Sequence, residues 1–85
     1  MPYIVNDRRA TARTHPATAG ELNYAFTELM LYYTRFKGLN YQTINDIIGA
    51  INGTKTEFER RIVGPYEDKA IERNGDVYDT LGREL

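Results

Sequence analysis

The stretch RRIVGPYEDK, residues 60–69, brings together residue types that can hold an anionic ligand. A guanidinium group matches a phosphate in two parallel hydrogen bonds, and neighbouring helical residues point about 100° apart. One of Arg60 and Arg61 can therefore face a ligand while the other pairs with a nearby carboxylate. A helix starting at Pro65 and Tyr66 would add backbone donors to the same anion. An ordinary salt-bridged surface remains the alternative explanation of these residues.

Tyrosine is the second feature, with seven tyrosines and no tryptophan. Its ring stacks on flat ligands and its hydroxyl binds polar groups, although tyrosine also packs in helix interfaces. We assign Tyr33 and Tyr24 to packing in the hairpin or at a subunit contact. Asn45, near Tyr41, is a candidate for a base or ribose edge, or for a hydrogen bond across a helix pair. The predicted ligand-binding set is Tyr41, Asn45, Arg60, Arg61, Tyr66, Asp76 and Tyr78.

Catalytic chemistry has little support in the sequence. It contains no serine or cysteine, and its single histidine, His15, lies in a polar stretch typical of a solvated loop. We therefore predict no catalytic residues, no metal site and no cofactor. A magnesium-dependent nucleotide hydrolase remains an alternative that would need at least three carboxylates to converge. Its candidate ligands are Glu57, Glu59, Glu67, Asp68 and Glu72.

Size and charge limit the remaining classes. A chain of 85 residues predicts a single domain over residues 1–85, and the absence of cysteine suits a reducing compartment such as the cytoplasm. No segment has the apolar length of a membrane span. The first 18 residues carry three arginines against one aspartate, whereas residues 65–85 carry six acids against three bases. That acidic end, with a net charge of −1, argues against duplex nucleic acid as a partner.

Helix signals predict an all-α fold. Thr18 and Glu21 form a capping box and Gly38 supplies a stop, which predicts a helix over residues 19–37. Asn40 is a good N-cap for a second helix over about residues 40–63, which completes a helical hairpin. Gly64-Pro65 predicts a break, followed by a third helix over about residues 65–74. Residues 1–18 are predicted to be an irregular arm, and residues 76–85 a tail without an assigned element.

The first predicted helix is apolar over most of its circumference. Five residues at helical spacing form one apolar face: Leu22, Phe26, Leu29, Tyr33 and Phe36. Further apolar residues lie off that face, including Leu31 and Tyr32. One small monomer cannot cover such a helix, so the sequence predicts a homo-oligomer. Gly49 and Gly53 indicate either close approach of another molecule or a locally weak helix.

A family resemblance adds to this interpretation. The segments MPYI, GELNYAFTELMLYY and GLNYQTINDIIGAINGTKTEFERRIVGPYEDKAIERNGDVY resemble a family of small proteins of bacteriophages and bacterial genomes, catalogued as a domain of unknown function. The resemblance covers residues 1–4 and about 20–78. It implies a phage or prophage setting, in which small proteins commonly act against host defences.

We therefore expect a non-enzymatic phage-type protein, in the cytoplasm of the bacterial host, that sequesters a nucleotide-derived immune signal such as a cyclic nucleotide or a cyclic ADP-ribose variant. The step to that ligand is an analogy with proteins of the same setting. The alternative is a protein-interaction factor that uses an apolar helix face. A concave pocket with an arginine beside a tyrosine would favour sequestration, and an exposed apolar strip would favour the protein partner.

Overall fold

The computed structural model describes residues 1–81, and these residues form helices joined by short connections. The elements are α1 (Asn6–Ala12), α2 (Ala19–Lys37), α3 (Tyr41–Phe58), a π-helix (Glu59–Val63), α4 (Gly64–Asn74) and α5 (Tyr78–Leu81). The predicted all-α fold, a helical hairpin with a further helix, is confirmed. The chain divides into unit 1 (Met1–Gly49) and unit 2 (Ala50–Leu85). The prediction of one domain over residues 1–85 stays a prediction.

The hairpin of unit 1 forms where the capping residues predict it. The backbone N–H of Glu21 donates to Thr18 Oγ1 at 3.1 Å, and the N–H of Thr43 donates to Asn40 Oδ1 at 2.9 Å. Gly38 ends α2 with φ +88°, a left-handed conformation that favours glycine. Polar groups link the two helices, because Tyr33 Oη donates to Asp46 Oδ2 at 3.0 Å.

The prediction of an irregular N-terminal arm is wrong, because residues 6–12 form α1 against α2. Ala12 is fully buried in this contact region. The start of the chain also lies close to α2, since a Cβ on Gly20 would stand 3.1 Å from Met1 O. The sequence carries no helical period here because arginines, not apolar side chains, make the principal contacts with α2.

The predicted third helix is present as α4, but no turn or loop separates it from the π-helix before it. Val63 and Gly64 both keep helical dihedrals, with φ/ψ of −69°/−44° and −54°/−57°. The π-helix precedes Pro65, and the N–H of Gly64 donates to Glu59 O, five residues back. A π-turn widens the backbone, which accommodates the missing donor and the bulky ring of the proline without ending the helix.

The end of α4 matches its prediction. Gly75 has φ +90°, and its N–H donates to Ile71 O at 2.8 Å. Asp76 Oδ1 then accepts the N–H of Tyr78 at 2.8 Å, where the four-residue α5 begins within the predicted tail. The rest of that tail, residues 82–85, lies outside the described residues.

Apolar burial is very small. Within residues 1–79, Ala12 is the sole buried apolar side chain, and no large side chain is fully buried. The residues of α2 and α3 that are buried are Glu21 and Thr43, both polar. No helix of the described part is long and apolar enough to span a membrane. Most of the apolar side chains of both helices therefore remain in contact with solvent.

Candidate functional site

The predicted ligand residues of unit 1 lie on the first turns of α3. Tyr41 and Asn45 are both exposed. The hydrogen bond across the hairpin is made by Asp46 instead of Asn45, and Gln42 Nε2 donates to its second oxygen at 2.7 Å. The bond to Asp46, together with burial, raises the pKa of Tyr33. Asn45 is therefore a surface residue, while its neighbour joins the two helices.

The two predicted arginines of unit 2 lie in the π-helix and share one carboxylate. Arg60 Nη2 and Arg61 Nη1 lie 3.3 and 3.8 Å from the same oxygen, Glu57 Oε1. All three side chains are mostly exposed, and such surface pairs contribute only about 0–1 kcal/mol. The ion pairs therefore leave both guanidinium groups accessible, as an anion site requires.

The backbone contribution predicted for the same anion is not available at Gly64. A separate helix starting at Pro65 would present free N–H groups, but the helix continues and the N–H of Gly64 is already donated to Glu59 O. Pro65 has no N–H of its own. Exposed Tyr66 lies on the next turn. The local features that can hold an anion are thus the side chains of Arg60 and Arg61.

A pocket in unit 2 brings together two other predicted residues, Asp76 and Tyr78. Its volume is about 470 Å³, and it is lined by Glu67, Ala70, Ile71, Asn74, Gly75, Asp76, Val77 and Tyr78. Glu67, Ile71 and Asn74 share one face of α4, and Gly75 turns the chain back beneath it. Neither arginine lines this pocket. The carboxylates of Glu67 and Asp76, together with the C-terminus of α4, disfavour a phosphate group there.

The carboxylates that a hydrolase would need do not converge. In the described part of the chain, no group of three histidine, cysteine, aspartate or glutamate side chains is placed to hold a metal ion. Glu57 pairs with the arginines, and Glu59 Oε2 lies 3.0 Å from Lys55 Nζ. His15 is exposed, with Nδ1 2.8 Å from Thr14 Oγ1. Nothing in this geometry favours the hydrolase alternative.

Sequence reasoning missed the most constrained polar group, the carboxylate of Glu21. Arg8 donates to both its oxygens, from Nε at 2.9 Å and from Nη2 at 2.8 Å, and the N–H of Ala17 donates to Oε1 at 2.9 Å. These bonds lower the pKa of Glu21 to about 2, and the hydrogen bond from Arg8 makes the largest contribution. The capping-box pattern flagged Glu21, but it gave no signal for a partner thirteen residues away.

The other arginines of the arm also contact α2. Arg13 Nε lies 3.5 Å from Glu28 Oε2, and Arg9 Cζ lies 5.8 Å from the ring centroid of Tyr24. The basic character of the first 18 residues therefore serves to dock α1 on α2. Tyr24 thus contacts the arm, a location that the sequence did not indicate.

Comparison with known proteins places the chain in a family. The family model described as Domain of unknown function (DUF6899) matches residues 1–77. The chain belongs to this family. The DUF6899 match includes α1 and the loop after it, which the sequence resemblance had left out. Comparison with curated proteins and with solved structures gave no match.

Proposed function

We propose that this DUF6899 protein is a non-enzymatic protein-interaction factor that binds through apolar surfaces of α2 and α3 in unit 1. The observation that carries the proposal is the exposure of the α2 aromatic residues. Phe26, Tyr32 and Phe36 are 51%, 63% and 70% exposed. At about 200 Å² for each side chain, they present roughly 370 Å² of apolar surface. An apolar patch of this size is comparable to the largest patch on a typical soluble monomer, and such patches are often functional.

The patch is organised, since its side chains are ordered against one another. The rings of Tyr32 and Phe36 are stacked, with centroids 6.3 Å apart and planes within 5°. Leu29, on the same side of the helix as Phe26 and Phe36, is 67% exposed. Preordered aromatic side chains lose little entropy on binding, which suits them to anchor a partner.

A second apolar surface of unit 1 lies on α3. Thr43 is buried and Asp46 bonds to Tyr33 of α2, so the polar side of α3 faces α2. Ile44 and Ile48 are therefore left exposed. They lie four residues apart and form one apolar strip, which is the usual arrangement for helix recognition by another protein.

Sequestration of a small ligand has less geometric support. It needs a concave site with an arginine beside a tyrosine, whereas the unit 2 pocket holds Tyr78 with carboxylates and neither Arg60 nor Arg61. It remains a second candidate because one carboxylate, Glu57, serves two exposed guanidinium groups. That local excess of positive charge suits a phosphate-containing ligand such as a cyclic nucleotide or a cyclic ADP-ribose variant. For both candidates we propose a phage or prophage protein acting in the bacterial cytoplasm, where either binding activity would serve counter-defence.

An affinity experiment with matched variants tests the proposal. Ile48→Glu puts a charge on the α3 strip, and Ala50→Glu puts the same charge about 200° around the helix. Bacterial proteins retained by the wild type and Ala50→Glu but lost with Ile48→Glu support the proposal. Retention unaffected by Ile48→Glu contradicts it for α3.

The second candidate is tested on the same chain with a panel of cyclic nucleotides and cyclic ADP-ribose isomers. After incubation and heating, the released small molecules are analysed by mass. An intact ligand that Arg61→Ala fails to bind, with no loss of melting temperature, favours sequestration. A cleaved product contradicts both non-enzymatic functions and supports the alternative of a nucleotide hydrolase.

A further inference from the structure

We infer that the exposed apolar face of α2, here called the α2 stripe, binds a second copy of this chain, with the two α2 helices antiparallel about Leu29. The α2 stripe consists of Leu22, Phe26, Leu29, Tyr32 and Phe36, whereas Tyr33 is bonded to Asp46 of α3. The inference rests on the proposed function, because it names the partner for one of the two apolar surfaces. The α3 strip of Ile44 and Ile48 stays available for another protein.

The spacing of the α2 stripe is self-complementary. Its five residues follow one another at intervals of four, three, three and four, which is symmetric about Leu29. Leu22 and Phe36 lie seven residues on either side of Leu29. A second copy running in the opposite direction would therefore meet Phe36 with Leu22 and Leu29 with Leu29. Such exchange of contacts is the requirement for a two-fold symmetric interface.

The helix dipole favours the antiparallel direction. Opposed helix dipoles attract, whereas parallel packing would place like ends together. Side-chain charges do not decide the direction, because Glu21 and Glu28 already pair with Arg8 and Arg13 of the same chain.

The chain needs such a partner for its own folding. In the described residues, Ala12 is the sole buried apolar side chain, so hydrophobic burial within one copy is too small to offset the loss of conformational entropy. The three α2 aromatic residues alone supply roughly 370 Å², close to half of the approximately 800 Å² that one partner contributes to a standard interface. A second copy is always present where the chain is made, as in obligate homodimers.

Sedimentation with a matched pair of variants tests the inference. Leu29→Glu puts a charge at the centre of the stripe, and Leu31→Glu makes the same change on the opposite side of α2, about 200° away. We expect an even-numbered oligomer for the wild type and Leu31→Glu, and at least a tenfold weaker association for Leu29→Glu. A monomeric wild type, or equal association of both variants, would overturn the inference.

Cysteine cross-linking keeps the test decisive if Leu29→Glu fails to fold, because the natural chain has no cysteine. With a short bis-maleimide, Leu29→Cys should link to itself and Leu31→Cys should not. Leu22→Cys should link to Phe36→Cys in a mixture, more than either links to itself. Self-linking at both of these positions would show parallel helices and contradict the inferred arrangement.

The two proposals fail separately. If the wild type is monomeric but still loses a bacterial partner through Ile48→Glu, the second copy is excluded and the protein-interaction function stands. If the α2 variants dissociate an oligomer while Ile48→Glu changes no binding, self-association stands and α3 is not the partner surface.

Discussion

Glu21 shows how one residue fastens the N-terminal arm to α2. Its carboxylate accepts two bonds from Arg8 and one from the N–H of Ala17. The local sequence predicts the helix cap at Thr18, but not this contact, since Arg8 lies thirteen residues away. The ion pairs that Arg60 and Arg61 form with Glu57 can be predicted from helical spacing. The pocket lined by Asp76 and Tyr78 cannot, because it depends on the turn at Gly75.

Lowering the pH should destabilise the arm through Glu21. The pKa of its carboxyl group is about 2 in the folded chain against an ordinary value of 4.5. Because the folded value is the lower one, the pair stabilises the fold above about pH 4.5, and this contribution is lost as the pH falls towards 2. Denaturation followed by circular dichroism across this range measures the loss. Glu21→Gln should show a shallower pH dependence, and identical profiles would contradict this role.

The two N-caps give a second residue-level prediction. Thr18→Ala and Asn40→Ala should each lower the free energy of unfolding by about 1 kcal/mol, because each removes the acceptor of a first-turn N–H. Chemical denaturation measures the change. Thr56→Ala, an exposed change inside α3, is the control and should not destabilise the protein. Equal losses at all three positions would mean that capping is not the cause.

At the scale of elements, the helices with strong local signals are predictable and the irregular ones are not. The bounds of α2 and the end of α4 at Gly75 follow from caps and glycines. The π-helix before Pro65 does not, because a change of backbone hydrogen bonding from four to five residues apart has no characteristic residue type in the sequence. RRIVGPYEDK is consequently a continuous helical segment that carries two exposed arginines.

Two glycines, one inside α3 and one just after α4, provide the prediction at the scale of elements. A Cβ on Gly53 would meet nothing within 4 Å, so Gly53→Ala should raise the free energy of unfolding by up to about 1 kcal/mol. Gly75→Ala should lower it by about 1–2 kcal/mol, because φ +90° strains any other residue. Denaturation of both variants checks the pair. Destabilisation by Gly53→Ala would instead indicate that another molecule packs closely on that position.

At the scale of the whole molecule, the balance of surface and core is the main result. The apolar pattern of α2 predicts more apolar surface than one copy can cover, and the exposed side chains agree with this. The identity of the partner is not a property of local sequence, since an apolar strip is compatible with several occupants. The palindromic spacing about Leu29 is what favours a second copy.

The central claim, that the chain completes its fold only against another molecule, is tested most directly by diluting the wild type. Far-UV circular dichroism and thermal melting would be measured from about 100 µM to about 0.1 µM, since an obligate assembly loses stability by mass action. We predict that helical signal and melting midpoint both fall on dilution. A signal and midpoint that stay constant, with a monomeric mass at every concentration, would contradict the account.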